Sequence, residues 1–292
     1  MDAGALHTPP IGSVRRVELS GRSLGCWDAG STGPVVLLVH GIPTNHALWW
    51  DVVPRLAPHA RGLAVDLLGY GRSDRPDGQP LDIAAHADRA VALLDALAVA
   101  RVTVVGHDIG GGVAQLLAVR HAARVERLAL VDAVCYDAWP VPAMQALKLA
   151  ARGHVLEHLP AHPTVAALRA GLRTLFAHQE RADRFLDAFV APFASADGMD
   201  AFAAHVRALD SAHTEAIAPA LGRLALPAAV VWGRHDHQLP PELAERLARD
   251  IPGAELTWVD DASHFVPCDR PDIVADAVLR LLGRPAGADR AR

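Results

Sequence analysis

The sequence predicts a doubly wound, mostly parallel eight-stranded α/β sheet with an inserted helical cap. Three observations carry this prediction: short apolar runs alternate with stretches of helical period, a helical block interrupts that alternation, and one strand runs into a helix through a glycine-rich turn. With 292 residues and a hydrophobic content of 51%, the chain is long enough to bury the core that such a sheet needs.

Six short runs are rich in leucine and β-branched residues and are ended by Gly, Asp or Pro. Such runs are typical of strands that are covered on both faces, as in a parallel sheet. The predicted strands are 35–39, 63–65, 102–105, 128–131, 229–232 and 256–259, and the helical stretches between them include 83–97, 112–122 and 242–250. Two earlier segments, 14–19 and 23–28, are predicted to form an antiparallel hairpin at one edge of the sheet.

The alternation of strands and helices stops between about residues 136 and 219. This stretch is rich in alanine, has helical period and lacks strand signals, and the alternation resumes at Leu224. A helical block inserted after a strand of an α/β sheet lies on the side where ligands bind. We therefore expect a core domain of residues 1–135 plus 220–292 and a helical cap, 136–219, that supplies substrate selectivity.

Charge and hydropathy limit the partners that this chain can have. A formal net charge of −5 provides no basic field for a nucleic acid or for an anionic membrane. No apolar run approaches the roughly 20 residues of a membrane span, and the opening residues lack the order of a secretory signal, so we expect a cytoplasmic protein. The last residues, 284–292, are expected to be frayed. The sequence leaves a homodimer open.

Sixteen histidines raise the question of a metal site. His154 and His158 are four residues apart and could share a helical face, but Pro160 interrupts the helix before His162. No cysteine or acidic cluster completes a ligand set. We expect neither a catalytic metal nor another cofactor.

The strongest motif is the segment 102–112, in which a strand runs into a helix through Gly-His-Asp-Ile-Gly with Asp108 at its centre. Small residues two places before and after the central residue permit a very tight turn, and backbone N–H groups of the following helix can hold developing negative charge. A phosphate loop or a dinucleotide turn is the alternative, but the segment lacks both Gly-Lys-Ser/Thr and G-x-G-x-x-G. The turn therefore predicts Asp108 as a nucleophile.

Further motifs surround this turn in chain order: His-Gly-Ile-Pro at 40–43, Asp-Leu-Leu-Gly-Tyr-Gly-Arg-Ser-Asp at 66–74, Trp-Gly-x-x-Asp at 232–236 and Ser-His-Phe at 263–265. With them the chain resembles the α/β-hydrolase superfamily over nearly its whole length. The resemblance implies that Asp236 is the acid of a catalytic triad and His264 its base. It also implies that the backbone amides of Ile42 and Ile109 form the oxyanion hole. Asp132 is an alternative acid, because some haloalkane dehalogenases carry the acid at that place.

An aspartate at the nucleophile position resembles the branch of haloalkane dehalogenases, haloacid dehalogenases and epoxide hydrolases. A carboxylate is ionised at neutral pH and needs no base for its attack, so His264 is free to activate water in a second step. Its attack on an ester would give a strained anhydride, whereas attack on an sp3 carbon that bears a halide or a strained oxygen gives a stable alkyl ester. We expect a small, neutral and apolar substrate of that kind, with water as the second reactant.

The resemblance to named subfamilies ends at the groups that would bind the substrate. Ile109 and Ile42 stand where haloalkane dehalogenases carry tryptophan and asparagine, and Ile109 also replaces the arginine of fluoroacetate-type dehalogenases. The second of the two tyrosines that epoxide hydrolases use could be replaced by a cap histidine. Our candidates for substrate binding are His40, His107, Tyr136 and Trp139, and the cap histidines are His154, His158, His178, His205 and His213.

Two other functions stay open at this stage. One is an esterase-like or lyase-like enzyme of the same fold in which aspartate replaces serine. The other is a non-hydrolytic ligand-binding protein that retains the pocket of the fold, although a pure binder does not need the acid and the histidine.

Overall fold

A computed structural model describes residues 9–30 and 32–283. In this part of the chain eight strands form one sheet in the order β1-β2-β4-β3-β5-β6-β7-β8. The strands are β1 (Ser13–Leu19), β2 (Arg22–Gly30), β3 (Val35–Val39), β4 (Arg61–Val65), β5 (Val102–Asp108), β6 (Val125–Ala133), β7 (Ala228–Gly233) and β8 (Glu255–Val259). The fold class predicted from the sequence is confirmed.

The sheet is antiparallel only at one edge. Strand β1 pairs with β2 in an antiparallel hairpin, with Val17 opposite Leu24, and β2 pairs antiparallel with β4. The remaining neighbours pair in parallel. Every residue of β5 and of β7 is buried, as expected for apolar strands that are covered on both faces. The predicted hairpin is therefore confirmed.

Helices cover both faces of the sheet and fill the interval between β6 and β7. The helices are α1 (Val53–Leu56), α2 (Ile83–Ala96), α3 (Ile109–Arg120), α4 (Pro142–Arg152), α5 (Ala161–Arg173), α6 (Gln179–Val190), α7 (Ala196–Ala208), α8 (Ala212–Leu221), α9 (Glu242–Asp250), α10 (Val266–Asp269) and α11 (Pro271–Leu281). Helix α2, which links β4 to β5, begins with a capped turn, because the Asp82 side chain accepts hydrogen bonds from the amides of Ala84 and Ala85.

The insertion between β6 and β7 consists of helices α4 to α8, with short 3-10 helices between some of them. Helix α4 packs against α7, and α5 packs against α6. Helix α6 also contacts α10, and α8 lies on the core helix α3. The insertion is thus helical where the sequence predicts helices, while the division into a core and a cap at residues 136 and 219 stays a prediction.

Three further expectations concern the ends of the chain, membrane-spanning helices and metal ligands. The predicted frayed tail, 284–292, and residues 1–8 of the opening segment lie outside the described residues. Among the residues that the structure describes, no helix is long and apolar enough to cross a membrane. Within the same ranges no group of three or more His, Cys, Asp and Glu side chains could hold a metal ion. His154 and His158 do not share a helix, since His154 lies in a turn after α4.

Candidate active site

The turn between β5 and α3 holds Asp108 in a conformation that L-residues rarely adopt, with φ 52° and ψ −124°. The glycines on either side make this turn possible. A Cβ on Gly106 would lie 2.2 Å from the carbonyl oxygen of Gly110, and a Cβ on Gly110 would lie 2.2 Å from that of Val39. The turn therefore lifts Asp108 above the carboxyl end of the sheet at the amino end of α3.

Two backbone amides converge on the Asp108 carboxylate. The Ile42 N–H donates to Oδ1 at 2.9 Å, and the Ile109 N–H donates to the same carboxylate. The loop after β3 packs tightly on the nucleophile, because a Cβ on Gly41 would lie 2.4 Å from the Asp108 Cβ. The structure thus brings together the two amides that the sequence suggested for an oxyanion hole.

His264 lies in the loop between β8 and α10 and faces two carboxylates. Its Nδ1 is 2.9 Å from Asp236 Oδ2, so Nδ1 donates and the neutral ring keeps a lone pair on Nε2. Nε2 is 3.9 Å from Asp108 Oδ2, which is beyond hydrogen-bond reach. A water molecule that donates to Nε2 can therefore lie beside the Asp108 carboxyl carbon.

Burial and charge act against each other on these groups. Burial raises the pKa of Asp108, while His264 and the two amides favour its ionised form. Burial lowers the pKa of His264, but the neighbouring carboxylates of Asp236 and Asp108 raise it by more, so the net shift is upward. The site thus binds a proton on the imidazole more readily than an exposed histidine does.

Asp132, the alternative acid, lies at the end of β6 and is fully buried. Its Oδ1 accepts the Gly233 N–H at 2.8 Å, and burial raises its pKa well above the usual range, with a further contribution from Asp236. Among the described residues, the carboxylate that hydrogen-bonds the His264 ring belongs to Asp236. The geometry therefore supports Asp236 rather than Asp132 as the partner of His264.

A cavity of about 110 Å³ opens in front of Asp108. Its lining is mostly apolar and comes from both the sheet and the insertion, including Val134, Met144, Leu168, Leu172, Phe202 and Leu209. Apart from the indole of Trp139, the polar side chains among its described lining are those of Asp108, Gln238 and His264. That lining contains no lysine or arginine, and the Trp139 N–H donates to Thr214 Oγ1 at 2.8 Å. The cavity suits a small uncharged molecule.

Two of the four side chains predicted to bind substrate are histidines buried away from this cavity. His40 is 0% exposed, its Nε2 accepts the Leu67 N–H at 3.0 Å, and burial lowers its pKa to about 4. His107 Nε2 donates to the backbone oxygen of His264 at 2.9 Å, and burial lowers its pKa well below the usual range. Both side chains hydrogen-bond backbone groups of the site's loops and are absent from the described lining of the cavity, so their binding of substrate stays a prediction.

Tyr136 is also absent from the described lining of the cavity, whereas Trp139 is part of it. The Tyr136 hydroxyl donates to Asp250 Oδ2 at 2.9 Å, and the guanidinium of Arg246 lies over its ring. A left-handed backbone, with φ 54° at Tyr136, turns this side chain toward α9. None of the proposed cap histidines appears among the described lining residues either.

Two features of the site were not found from the sequence. Gln238 lines the cavity, and the one sequence feature that could have identified it is its position two residues after Asp236. A second feature is a buried cluster of aromatic rings at the junction of α7 with the core. It consists of His40, Tyr70, His86 and His205, and we call it the histidine cluster. His205 stacks on Tyr70 with ring centroids 3.8 Å apart, and on His86 at 6.2 Å. The positions of the histidines along the sequence do not show that these rings pack together.

Comparisons with known proteins agree with the fold and span the site. The model of a family described as alpha/beta hydrolase fold matches residues 34–271. An uncharacterized protein of Mycobacterium tuberculosis is 34% identical over 278 residues, which are 90% of this chain and 80% of that protein. Haloalkane dehalogenase 2 of the same species is 29% identical over 274 residues, 86% of this chain and 89% of the relative. The crystal structure of an alpha/beta hydrolase fold protein from Burkholderia ambifaria superposes with a TM-score of 0.86 and 27% identity, over 94% of this chain and 100% of that one.

Proposed function

The chain belongs to the α/β-hydrolase fold family, and on that premise we propose that it is a hydrolase that attacks an sp3 carbon through a covalent Asp108 alkyl ester. One observation carries the proposal: the Asp108 carboxylate lies at the turn between β5 and α3, the nucleophile elbow of this fold, where two amides bind it and the His264–Asp236 pair is beside it. The elbow of most members of the fold holds a hydroxyl nucleophile, which needs a base before it attacks. Asp108 needs none.

In the first step an oxygen of Asp108 attacks the substrate carbon. A C–O bond forms, and the bond from that carbon to a halide or to an epoxide oxygen breaks with its electron pair. The Ile42 amide holds Oδ1 of the carboxylate in place, which leaves the other oxygen to attack a substrate in the cavity. The product of this step is an alkyl ester of Asp108 and a departing anion.

In the second step His264 Nε2 accepts a proton from water, and the water oxygen attacks the carboxyl carbon of the ester. The amides of Ile42 and Ile109 hold the resulting oxyanion, and each such donor contributes about 2.7 to 4 kcal/mol to the transition state. Asp236 stabilises the imidazolium that forms on His264. Collapse of the intermediate releases an alcohol and restores the Asp108 carboxylate.

The cavity supports a neutral, apolar substrate. Its described lining offers no cation to bind a carboxylate, and its volume of about 110 Å³ admits only a small molecule. The similarity to haloalkane dehalogenase 2 favours a carbon–halogen bond, while an epoxide obeys the same chemistry of attack. Both substrate classes belong in the experimental panel.

A trapping experiment tests the proposal. His264→Gln removes the base of the second step, so the ester should accumulate, and mass spectrometry should find the alkyl group of the substrate on the peptide that contains Asp108. In ¹⁸O-labelled water the active enzyme should carry label in the Asp108 carboxylate after one turnover. Asp108→Ala is the negative control for the adduct.

The proposal fails if a substrate is turned over and neither the adduct nor the label appears. A panel of haloalkanes, epoxides and simple esters, with halide, diol and acid measured separately, supplies the substrates. If Asp108→Ser gains ester hydrolysis while the native protein acts on none of the panel, an esterase-like protein with a substituted nucleophile is the better description.

A further inference from the structure

The cavity wall contains one carboxamide that the proposed mechanism does not use. Gln238 follows β7, and its backbone N–H donates to Asp236 Oδ1 at 2.7 Å. The backbone N–H of Leu239 donates to the same oxygen at 3.0 Å. The other oxygen of Asp236 accepts from His264. The backbone of Gln238 is therefore fixed relative to the reacting groups.

Gln238 is partly buried and is one of the residues that line the cavity. Within residues 9–30 and 32–283 its carboxamide has no hydrogen-bond partner, in contrast to the neighbouring backbone groups. The atoms of this carboxamide are accessible rather than fully buried, so they can form hydrogen bonds with an occupant of the otherwise apolar cavity. Gln238 thus provides a vacant hydrogen-bond donor and acceptor for an occupant.

The size of the cavity limits how far the occupant can be from Gln238. An engineered apolar cavity of about 150 Å³ takes up a single benzene molecule. The cavity in front of Asp108 measures about 110 Å³, and both Asp108 and Gln238 line it. A small occupant that is attacked by Asp108 can therefore also reach the carboxamide.

We infer that the Gln238 carboxamide N–H donates a hydrogen bond to the atom that leaves the substrate carbon, and that this atom is a halide. The inference rests on the proposed Asp108 ester chemistry. It assigns Gln238 to the first step, because a donor near the departing atom stabilises the negative charge that develops there.

The choice of halide follows from what the cavity cannot supply. A departing halide is a stable anion and needs only hydrogen bonds, whereas an alkoxide from an opened epoxide must receive a proton, which an amide does not release. Neither Trp139 nor Tyr136 supplies that proton, because the Trp139 N–H donates to Thr214 and the Tyr136 hydroxyl donates to Asp250. His264 lies against the attacking carboxylate of Asp108, and in a displacement the leaving atom is on the opposite side of the carbon.

The overall reaction balances without another reactant. The Asp108 oxygen bonds to carbon as the carbon–halogen bond breaks, and the electron pair leaves with the halide. Water then cleaves the ester, its proton passes through His264 to solvent, and the products are an alcohol, a halide and a proton.

The test compares ester formation in the His264→Gln background with and without Gln238→Leu. The substrates are 1-bromobutane, 1-chlorobutane and 1,2-epoxybutane, and the adduct on Asp108 is followed by mass spectrometry in a single turnover. Loss of a hydrogen bond to a developing charge should slow ester formation from the haloalkanes about 10- to 100-fold, and more for chloride than for bromide. His237→Gln, an exposed neighbour in the same loop, is the matched control and should leave the rate unchanged.

The outcomes separate the two levels of the proposal. Absence of any Asp108 adduct with all three substrates overturns the proposed function itself. An adduct that forms as fast in Gln238→Leu as in the control, with the same ratio of bromide to chloride rates, overturns the role of Gln238. Faster adduct formation from the epoxide than from either haloalkane overturns the inference that the leaving atom is a halide.

A second measurement shows that Gln238→Leu is folded. With His264 intact, ester formed during a short pulse should be hydrolysed at the wild-type rate, because Gln238 acts only in the first step. Slowed hydrolysis that matches the slowed ester formation would indicate a general disturbance of the site and would contradict the assignment.

Discussion

Replacing His86 with glutamine should flatten the dependence of folding stability on acid pH. His86 lies on α2 within the histidine cluster, is 1% exposed and stacks on His205 of α7. Burial and, to a lesser extent, the nearby Arg89 lower its pKa to about 3. In the unfolded chain an imidazole has its ordinary pKa of about 6.5. The folded and unfolded states therefore bind different numbers of protons over a wide pH range.

The sign and size of the effect follow from this difference. The native state keeps His86 neutral, so its contribution to stability is fully present above pH 6.5 and is lost as the pH falls from 6.5 toward about 3. Between pH 7 and pH 5 the unfolded state gains about 2 kcal/mol from protonation of this single group. Glutamine does not titrate, so the free energy of unfolding of the variant should fall by about 2 kcal/mol less than that of the wild type.

Other groups titrate in the same range but cancel in the comparison. Burial also lowers the pKa of His40, His107 and His205, which adds to acid destabilisation, whereas the pKa of His264 is raised and acts in the opposite direction. These groups are present in both proteins. The difference between the two pH profiles therefore isolates His86.

The assay is urea unfolding followed by circular dichroism at pH 7, 6 and 5 for the wild type, His86→Gln and His158→Gln. His158 is exposed in the helical insertion and serves as the control, whose profile should run parallel to that of the wild type. Any constant loss of stability in His86→Gln shifts its profile without changing its slope. A profile of His86→Gln that is parallel to the wild type would refute the reasoning.

Further predictions concern catalysis. Hydrolysis of the Asp108 ester in the enzyme with His264 intact should slow as the pH drops through the pKa of His264, which burial lowers and the carboxylate of Asp236 raises, and a pH–rate profile measures it. Asp236→Asn should reduce kcat by roughly 10⁴-fold, as in hydrolases in which the acid of a triad is replaced by its amide, and should lower that apparent pKa. Gly41→Ala should reduce kcat by about 10²- to 10³-fold, because its Cβ would lie 2.4 Å from the Asp108 Cβ and would displace the amide that follows it. Gly171→Ala, where a Cβ meets nothing within 4 Å, is the matched control, and equal losses in both variants would exclude this explanation.

The order and type of the elements were predictable because they depend on short-range features. A strand such as β7 is apolar at each position, and the bounds of α9, Glu242–Asp250, coincide with the predicted ones. The elbow is local in part: Gly106 is required by the carbonyl of Gly110 in the same turn, whereas Gly110 is required by the carbonyl of Val39 on the neighbouring strand β3. The prediction that Asp108 stands at this turn needed no knowledge of the rest of the molecule.

The direction of individual side chains was not predictable in the same way. Tyr136 and His107 were expected to bind substrate because they are close to the site along the chain. The Tyr136 hydroxyl instead bonds Asp250, 114 residues away, and the His107 ring bonds the backbone of His264, 157 residues away. Gln238 became a candidate only when the cavity showed which side chains share one wall.

The sequence by itself determined the sheet, the helical insertion and an aspartate at the elbow, because these follow from local hydropathy and from the small size of glycine. The tertiary structure alone decided which side chains meet the substrate. That decision depends on packing between distant segments, such as the contact of the Ile42 amide with Asp108 and the bond that occupies the Trp139 N–H on Thr214. Hydrogen-bond donors are available to a substrate only where the fold leaves them without a partner, and no pattern along the chain records that.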